Sequence, residues 1–387
     1  MSAAPTRPSL GSLFLSFLKL GATAFGGPAM VPYIGKMAVE RNGWIDDRTF
    51  RDGVALCQTI PGATAMQTAA YVGFRARGVS GATASFVGFG LPAFLLMIGL
   101  SVFYARTHAL APVVAVFNGL AAVVVAIVAN ATVMFGKTFL KDLRAVGIAL
   151  IAAILFALGV SPILVIVLAA LAGLVVSDES PPAVLATQSQ SVPYSTRSLM
   201  LIVSSAALGC MALFFAQRQL FDLAAIMLRI DLFAFGGGFA SVPLMFHEFV
   251  EVRSWIDPPT FLNGIALGQI TPGPIVITAT FVGYMVDGVI GAVVATISVF
   301  LPSFLIVVGI APHLDNVRRS IYFSRASGAI LCSFVGLLLT VTFRFASNVS
   351  WDIPRALLAG AAFVALLLKI ELIWIVLIGT VIAVILL

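Results

Sequence analysis

Positive charge inside apolar sequence is the first chemical signal in this chain. Lys19 and Arg229 each lie in an apolar run, six positions before a Phe-Gly-Gly triplet, Phe25, Gly26 and Gly27 in one case and Phe235, Gly236 and Gly237 in the other. A cation in such a place is expensive to desolvate and marks an anion or a pathway. Snorkelling toward the interface is the competing reading, because both lie in the first half of their spans. Two further interruptions, Gln58-Thr59-Ile60-Pro61-Gly62 and Gln269-Ile270-Thr271-Pro272-Gly273, set neutral donors beside Pro and Gly, and Thr23 adds a hydroxyl. Proline lacks an N–H and glycine adopts dihedrals closed to other residues, so all four motifs predict broken helices. A broken helix offers unfilled N–H groups and the positive end of its dipole. Cationic substrates would call for intramembrane carboxylates, and Asp231 is almost alone there, two residues from Arg229, which it is placed to neutralise. The residues point to an oxyanion.

Other chemistries lack their parts. Cys57, Cys210 and Cys332 show no C-x-x-C spacing, and His108, His247 and His313 are isolated in sequence, so neither a disulfide nor a metal site is expected. No phosphate loop, nucleotide fingerprint or nucleophile–base arrangement is present, so no cofactor, no ATP drive and no enzymatic activity are expected. Glu40, Asp46, Glu251 and Asp257 fall in the connections after the first span of each half. Two readings stand: a gating or coupling set with Arg41, Arg48, Arg51 or Arg253, to which Asp231 also belongs, or loop charges and caps for the next helix. Trp44 and Trp255 read as interfacial anchors.

The elements that must position these residues follow from composition. Of 387 residues, 60% are apolar and 10% charged, and the mean hydropathy is +1.10. Soluble domains run about 45–50% apolar and about 25% charged, so the chain is expected to be an all-α polytopic membrane protein. Barrel strands are excluded, because the runs are continuously apolar and do not alternate. The runs place helices at 10–35, 53–74, 79–104, 110–136, 144–158, 161–176, 198–216, 219–247, 261–286, 289–311, 321–346, 354–369 and 371–387. That is about 13 spans, or 10–13, since the pairs 144–176 and 354–387 have arms shorter than the usual about 20 residues. The net charge of +6 belongs to short cytoplasmic loops, so no nucleic acid is expected. Twelve Lys and Arg fall on the N-terminal side and eight on the other, which predicts a cytoplasmic N-terminus and an external C-terminus. The N-terminal stretch lacks a cleavage site and reads as the first span, not a signal peptide.

The chain also repeats itself. Phe25-Gly26-Gly27 recurs at an offset of 210, and Trp44-Ile45-Asp46 with Thr49-Phe50 recurs as Trp255-Ile256-Asp257 with Thr260-Phe261 at 211. Gln58 with Pro61-Gly62 recurs as Gln269 with Pro272-Gly273, and Leu91-Pro92 as Leu301-Pro302. Residues 1–176 form the first repeat, 177–218 a linker with one unpaired span, and 219–387 the second repeat. Six spans plus one turn the second copy upside down, the inverted-repeat plan of secondary transporters.

At these residues the sequence resembles the chromate ion transporter family. The resemblance rests on the duplicated Phe-Gly-Gly and Trp-Ile-Asp-x-x-Thr-Phe motifs, Gly268 to Pro274, Thr280 to Tyr284 and Phe300 to Phe304, and it covers both halves. The first copy departs from it at Leu56 to Ala63, which lacks the leading Gly and trailing Pro. The resemblance implies a bacterial-type inner-membrane exporter of chromate that confers chromate resistance. Its expected partners are chromate or a sulfate-like oxyanion and the lipid bilayer, with a homodimer left open. A sulfate or other oxyanion importer on the same scaffold is the alternative.

Overall fold

Apolar runs broken by Pro and Gly fold, in the computed structural model, into helices alone among the described residues, which are 7–24, 30–176, 196–313 and 320–386. The first triplet, Phe25, Gly26 and Gly27, lies outside them. The first repeat runs α1 (Leu10–Thr23), α2 (Met30–Gly35, extended by a π-helical turn Lys36–Arg41), α3 (Asp47–Thr59), α4 (Thr64–Thr107), α5 (Ala111–Phe139), α6 (Leu143–Ala157) and α7 (Pro162–Val176). After α8 (Thr196–Ala216), the second repeats the order: α9 (Arg218–Phe233), α10 (Ser241–Phe246, extended by the π-helical turn His247–Val252), α11 (Pro258–Ile270), α12 (Thr278–Ile310), α13 (Ile321–Ser347), α14 (Ile353–Leu367) and α15 (Leu372–Leu386).

Five of these helices are long and apolar enough to cross a membrane: α4, α5, α8, α12 and α13. They fall two to a repeat, with α8 alone between. The chain is thus a multi-pass membrane protein, and its other helices are short. A 13-residue arm such as α3 or α11 is about 20 Å long at 1.5 Å per residue, against a hydrocarbon core of about 30 Å.

The short helices work as hairpins, where the sequence predicts single interrupted spans over 10–35, 53–74, 219–247 and 261–286. Arg229 of α9 meets Glu248 beyond α10 at 3.0 Å, although 19 residues of straight helix would hold them about 28 Å apart. Likewise Leu15 and Arg41 line one cavity at the two ends of the α1–α2 pair. Within α4 the helix breaks at Arg77-Gly78 and doubles back, so that Ser85 Oγ donates to the Ala69 carbonyl at 2.7 Å. In α12 the break is at Asp287-Gly288 and joins Thr280 to Thr296. Hydrophobicity marks where the chain is buried in lipid but not where it reverses, which is why periodicity runs through these turns.

Small residues let the hairpins press together, as in membrane helices generally. A Cβ on Gly21 of α1 would sit 2.2 Å from the Phe89 carbonyl of α4. Trp44 is buried against Phe17, with ring centroids 6.4 Å apart, a packing role in place of the expected interfacial one. Outside the bundle, the apolar stretch of α8 has no buried residue.

Candidate functional site

Two Pro-Gly turns, one in each repeat, bond across to the helix ends of the other repeat. The turn between α3 and α4 donates the Gly62 N–H to the Ala234 carbonyl at the end of α9 (2.9 Å), and its counterpart between α11 and α12 donates the Gly273 N–H to the Ala24 carbonyl at the end of α1 (3.2 Å). Ala24 and Ala234 are 210 apart and Gly62 and Gly273 are 211 apart, so the two bonds are equivalent under the repeat. Both glycines are required. Their φ angles are +118° and +122°, and a Cβ would strike Ser303 Oγ at 2.1 Å or Ala93 Cβ at 2.7 Å. Pro61 and Pro272 precede them and end α3 and α11.

Around this junction the backbone takes glycine conformations beside an uncapped helix start. Gly236 and Gly237 have φ near +90°, and Gly237 lies against Thr64, the first residue of α4. α4 starts there without a side-chain cap, so its N-terminal N–H groups and dipole are available to negative charge. Gln269 is buried and its amide nitrogen has no partner among the described residues. Its equivalent, Gln58, is exposed. Thr59 and Thr271 return their hydroxyls to the carbonyls of Leu56 and Leu267, each at 2.8 Å, and are not free donors.

The two cations sit away from this junction. Each lies five residues before the paired alanine, about 7–8 Å along a helix. Lys19 lines a cavity of about 730 Å³ between α1 and α2, together with Tyr33, Lys36, Glu40 and Arg41. Three cations against one carboxylate leave an excess of two positive charges, and among the described residues none of the three is ion-paired. No residue of the junction lines this cavity apart from Thr23 at its edge. One expected site is therefore resolved into two layers, a junction of turns and a charged vestibule.

In the second repeat the equivalent residues are tied together by ion pairs. Glu248 bridges Arg229 and Arg253, one carboxylate oxygen to each at 3.0 Å. Glu251, the equivalent of Glu40, pairs with Arg344 of α13 and with His247 Nδ1 at 2.9 Å. Arg344 also donates to the Phe156 carbonyl at 2.6 Å and lies over its ring, tying this cluster to α6. Both clusters sit on π-helical turns at matched positions, Lys36–Arg41 and His247–Val252, a distortion often found at functional sites. Sequence pairing of Glu251 with Arg253 is replaced by Glu251 with Arg344. The repeat gives no signal for Glu248, because Met37 occupies its place in the first copy.

Asp46 and Asp257 serve as helix caps. Each accepts from the backbone N–H and hydroxyl of a threonine three residues on, Thr49 at 2.9 and 2.7 Å and Thr260 at 2.8 and 2.9 Å. Partial burial pushes the Asp46 carboxyl up, but the Thr49 bonds outweigh it and hold the group below its ordinary value of 3.8. Asp231 is buried at the junction, and its Oδ2 accepts from the Ser303 N–H at 2.7 Å. Among the described residues no group of three metal-ligating side chains occurs.

With this geometry fixed, comparison with known proteins decides the family. The sequence model of the chromate transporter family matches the chain twice, over residues 11–174 and 221–384. The chain belongs to the chromate transporter family. It is 32% identical over 370 residues to a chromate transport protein of Cupriavidus metallidurans, covering 95% of this chain and 90% of that one. A chromate transport protein of Pseudomonas aeruginosa is 30% identical over 367 residues, 94% of this chain and 87% of the other. An uncharacterized transporter of Methanocaldococcus jannaschii is 42% identical over 378 residues, 97% and 94% of the two chains. No solved structure matches.

Proposed function

We propose that the chain exports chromate across the inner membrane by alternating access between two inverted repeats. The observation that carries this reading is the unequal state of two equivalent vestibules. One, around Lys19, is open and has an excess of two positive charges, suited to a dianion. Its mate, around Arg229, is crossed by ion pairs of Glu248 and of Glu251 with Arg344, which on this reading hold it closed. Alternation exchanges these states, and the junction of glycine turns between them holds the anion on uncapped N–H groups and the Gln269 amide. Inversion is supported by parity. On the count in which the second arm of α4, α5 and α8 each cross once and the hairpins do not, the crossings before the second repeat are odd in number, which turns that repeat over.

Export needs no ATP. Moving one charge through 100 mV is worth about 2.3 kcal/mol, so a dianion gains about 4.6 kcal/mol on leaving a negative interior. At about 1.4 kcal/mol per decade that sustains a gradient above about a thousandfold. The drive is the membrane potential, with the proton motive force as a contributor. The test is chromate flux in liposomes reconstituted with the full-length protein and given an imposed potential. Chromate should leave the negative compartment without ATP, and accumulation inside a negative compartment without a coupling ion would overturn export. The same lumen loaded with sulfate measures selectivity between the two tetrahedral anions.

A further inference from the structure

One buried acid has no counterpart in the repeat and, among the described residues, no counter-ion. Asp231 is 1% exposed. Its Oδ2 accepts from the Ser303 N–H, and its Oδ1 has no partner among the described residues. Gln67, fully buried on α4, donates its amide nitrogen to the Pro61 carbonyl at 2.6 Å and also has an unpartnered oxygen, Oε1. Both belong to one nook. The Gln67 amide nitrogen and Ser303 Oγ lie 2.7 and 2.1 Å from the point where a Gly62 Cβ would stand. Each of these buried acceptor oxygens lacks a donor among the described residues, and on Asp231 a proton would supply one.

The charges of the neighbouring elements are engaged elsewhere. On α9, Arg218 holds Asp222 and Arg229 holds Glu248. On the turn after α10, Glu248 also holds Arg253, and Glu251 holds His247 and Arg344. Asp287 of α12 accepts from Gln217, and α8 carries only Arg197. What α12 brings to Asp231 is neutral, the Ser303 N–H, and on α4 the charges are Arg75, Arg77 and Arg106, of which Arg77 donates to the Pro8 carbonyl.

Packing does not require an acid there. In the equivalent place of the first repeat stand Gly21 and Ala93, and the Gly273 N–H still makes its bond to Ala24. The second repeat adds a polar chain to the same frame: Asp231 accepts from the Ser303 N–H, Ser303 Oγ accepts from the Ala63 N–H at 2.9 Å, and Gly62 donates to Ala234. The charge on Asp231 is thereby linked to the turn of the opposite repeat, where the anion is held.

We propose that Asp231 is a proton-binding site that couples proton movement to anion transport through Ser303 and the Gly62 turn. On protonation one carboxylate oxygen gains a hydrogen, the charge goes from −1 to zero, and the hold on the Ser303 N–H weakens. The proton is taken from water on the side the site faces and returned to water on the other. This coupling rests on the transport reading above, whereas the proton site itself does not.

The experiment uses the full-length protein in liposomes with chromate as the probe, under an imposed pH gradient and, separately, an imposed potential. In the wild type a pH gradient should alter flux. In Asp231→Asn the gradient-driven component should be lost while the potential-driven component remains, and Asp231→Glu should restore gradient sensitivity. Unchanged gradient sensitivity in Asp231→Asn overturns the proposal, as does a sodium gradient replacing the pH gradient in the wild type. Infrared spectroscopy gives a readout that needs neither transport nor the Asn variant. A carboxylic-acid carbonyl band that titrates in the wild type should shift in Asp231→Glu, and a spectrum identical in both overturns the proton site. A titrating band in a protein that carries no chromate would reject the transport reading alone.

Discussion

Glu248→Gln tests whether the second vestibule is held shut by its ion pairs. The carboxylate makes two contacts, and they differ in worth. Arg229 is 48% exposed, so that arm is screened and counts as a surface pair of about 0.2–1 kcal/mol. Arg253 and Glu248 are 29% and 11% exposed, and a charged hydrogen bond in that setting is worth about 1.5–3 kcal/mol. Glutamine keeps one carbonyl acceptor and loses the charge, so the closed state should lose about 1–2 kcal/mol, a factor of about 5–30 in population. Amide hydrogen exchange of the protein in lipid nanodiscs reads this directly, because opening exposes the π-helical turn His247–Val252. Exchange across 247–253 should rise by that factor, with α13 unchanged. An exchange rate equal to that of the wild type in a correctly inserted variant would show that the ion pairs do not hold the vestibule closed.

In the open vestibule, Lys19→Ala and Lys36→Ala should each weaken chromate binding. A unit charge near 4 Å from a ligand is worth about 1–4 kcal/mol between water and a protein surface, so a half-open site predicts about 5–30-fold, measured by isothermal calorimetry. Arg355→Ala should leave affinity unchanged, since Arg355 is held by Asp352 and the Ser350 carbonyl on α14. Gly62→Ala and Gly273→Ala should each impair transport with insertion retained, at a conformational cost of about 1–3 kcal/mol, whereas Gly209→Ala on α8, where no atom lies within 4 Å and φ is ordinary, should spare transport. For Asp46 the sign is fixed by its lowered folded value. Its ionic contribution is present above the unfolded value and is lost as pH falls through the folded one. Asp46→Ala should therefore cost about 1 kcal/mol at neutral pH and less in strong acid, as read from thermal unfolding.

Much of this arrangement is legible in the sequence because membrane helices and their breaks have simple causes. The Pro61-Gly62 and Pro272-Gly273 interruptions appear as the turns that bond across the repeats. Asp46 and Asp257 carry the Asp-x-x-Thr spacing of a capped start, which favours the cap reading over a gate. What the sequence conceals is direction. Hydropathy is the same for a helix that crosses and for two arms that meet at a tip, so 10–35 and 219–247 read as spans. It also conceals partners distant along the chain. Ser303 lies 240 residues from Ala63, and Arg344 lies 93 from Glu251. No local spacing connects them.

Where the two copies disagree is as informative as where they match. Matched positions, the glycine turns, the caps and the π-helical turns, build the frame twice. At three mismatched pairs the second copy is the polar one: Met37 against Glu248, Gly21 against Asp231, and Ala93 against Ser303. A transporter with two identical halves would have open and closed forms of equal energy and no preferred direction of response to protons. In the proposed cycle Glu248 biases that balance through its two ion pairs, and Asp231 with Ser303 gives one repeat a charge the other lacks. The Gly21 site cannot take the acid, because a Cβ there would meet the Phe89 backbone at 2.2 Å, so the exchange is made in the other direction. Asp231→Gly with Ser303→Ala gives the second repeat the pair that the first already carries, Gly21 and Ala93. Gly273 keeps its bond to Ala24 beside that pair, so insertion and the Gly62 bond to Ala234 should survive while the response of flux to pH is lost. A double variant that inserts normally and stays as pH-sensitive as the wild type would mean that the added polar chain does not carry the coupling.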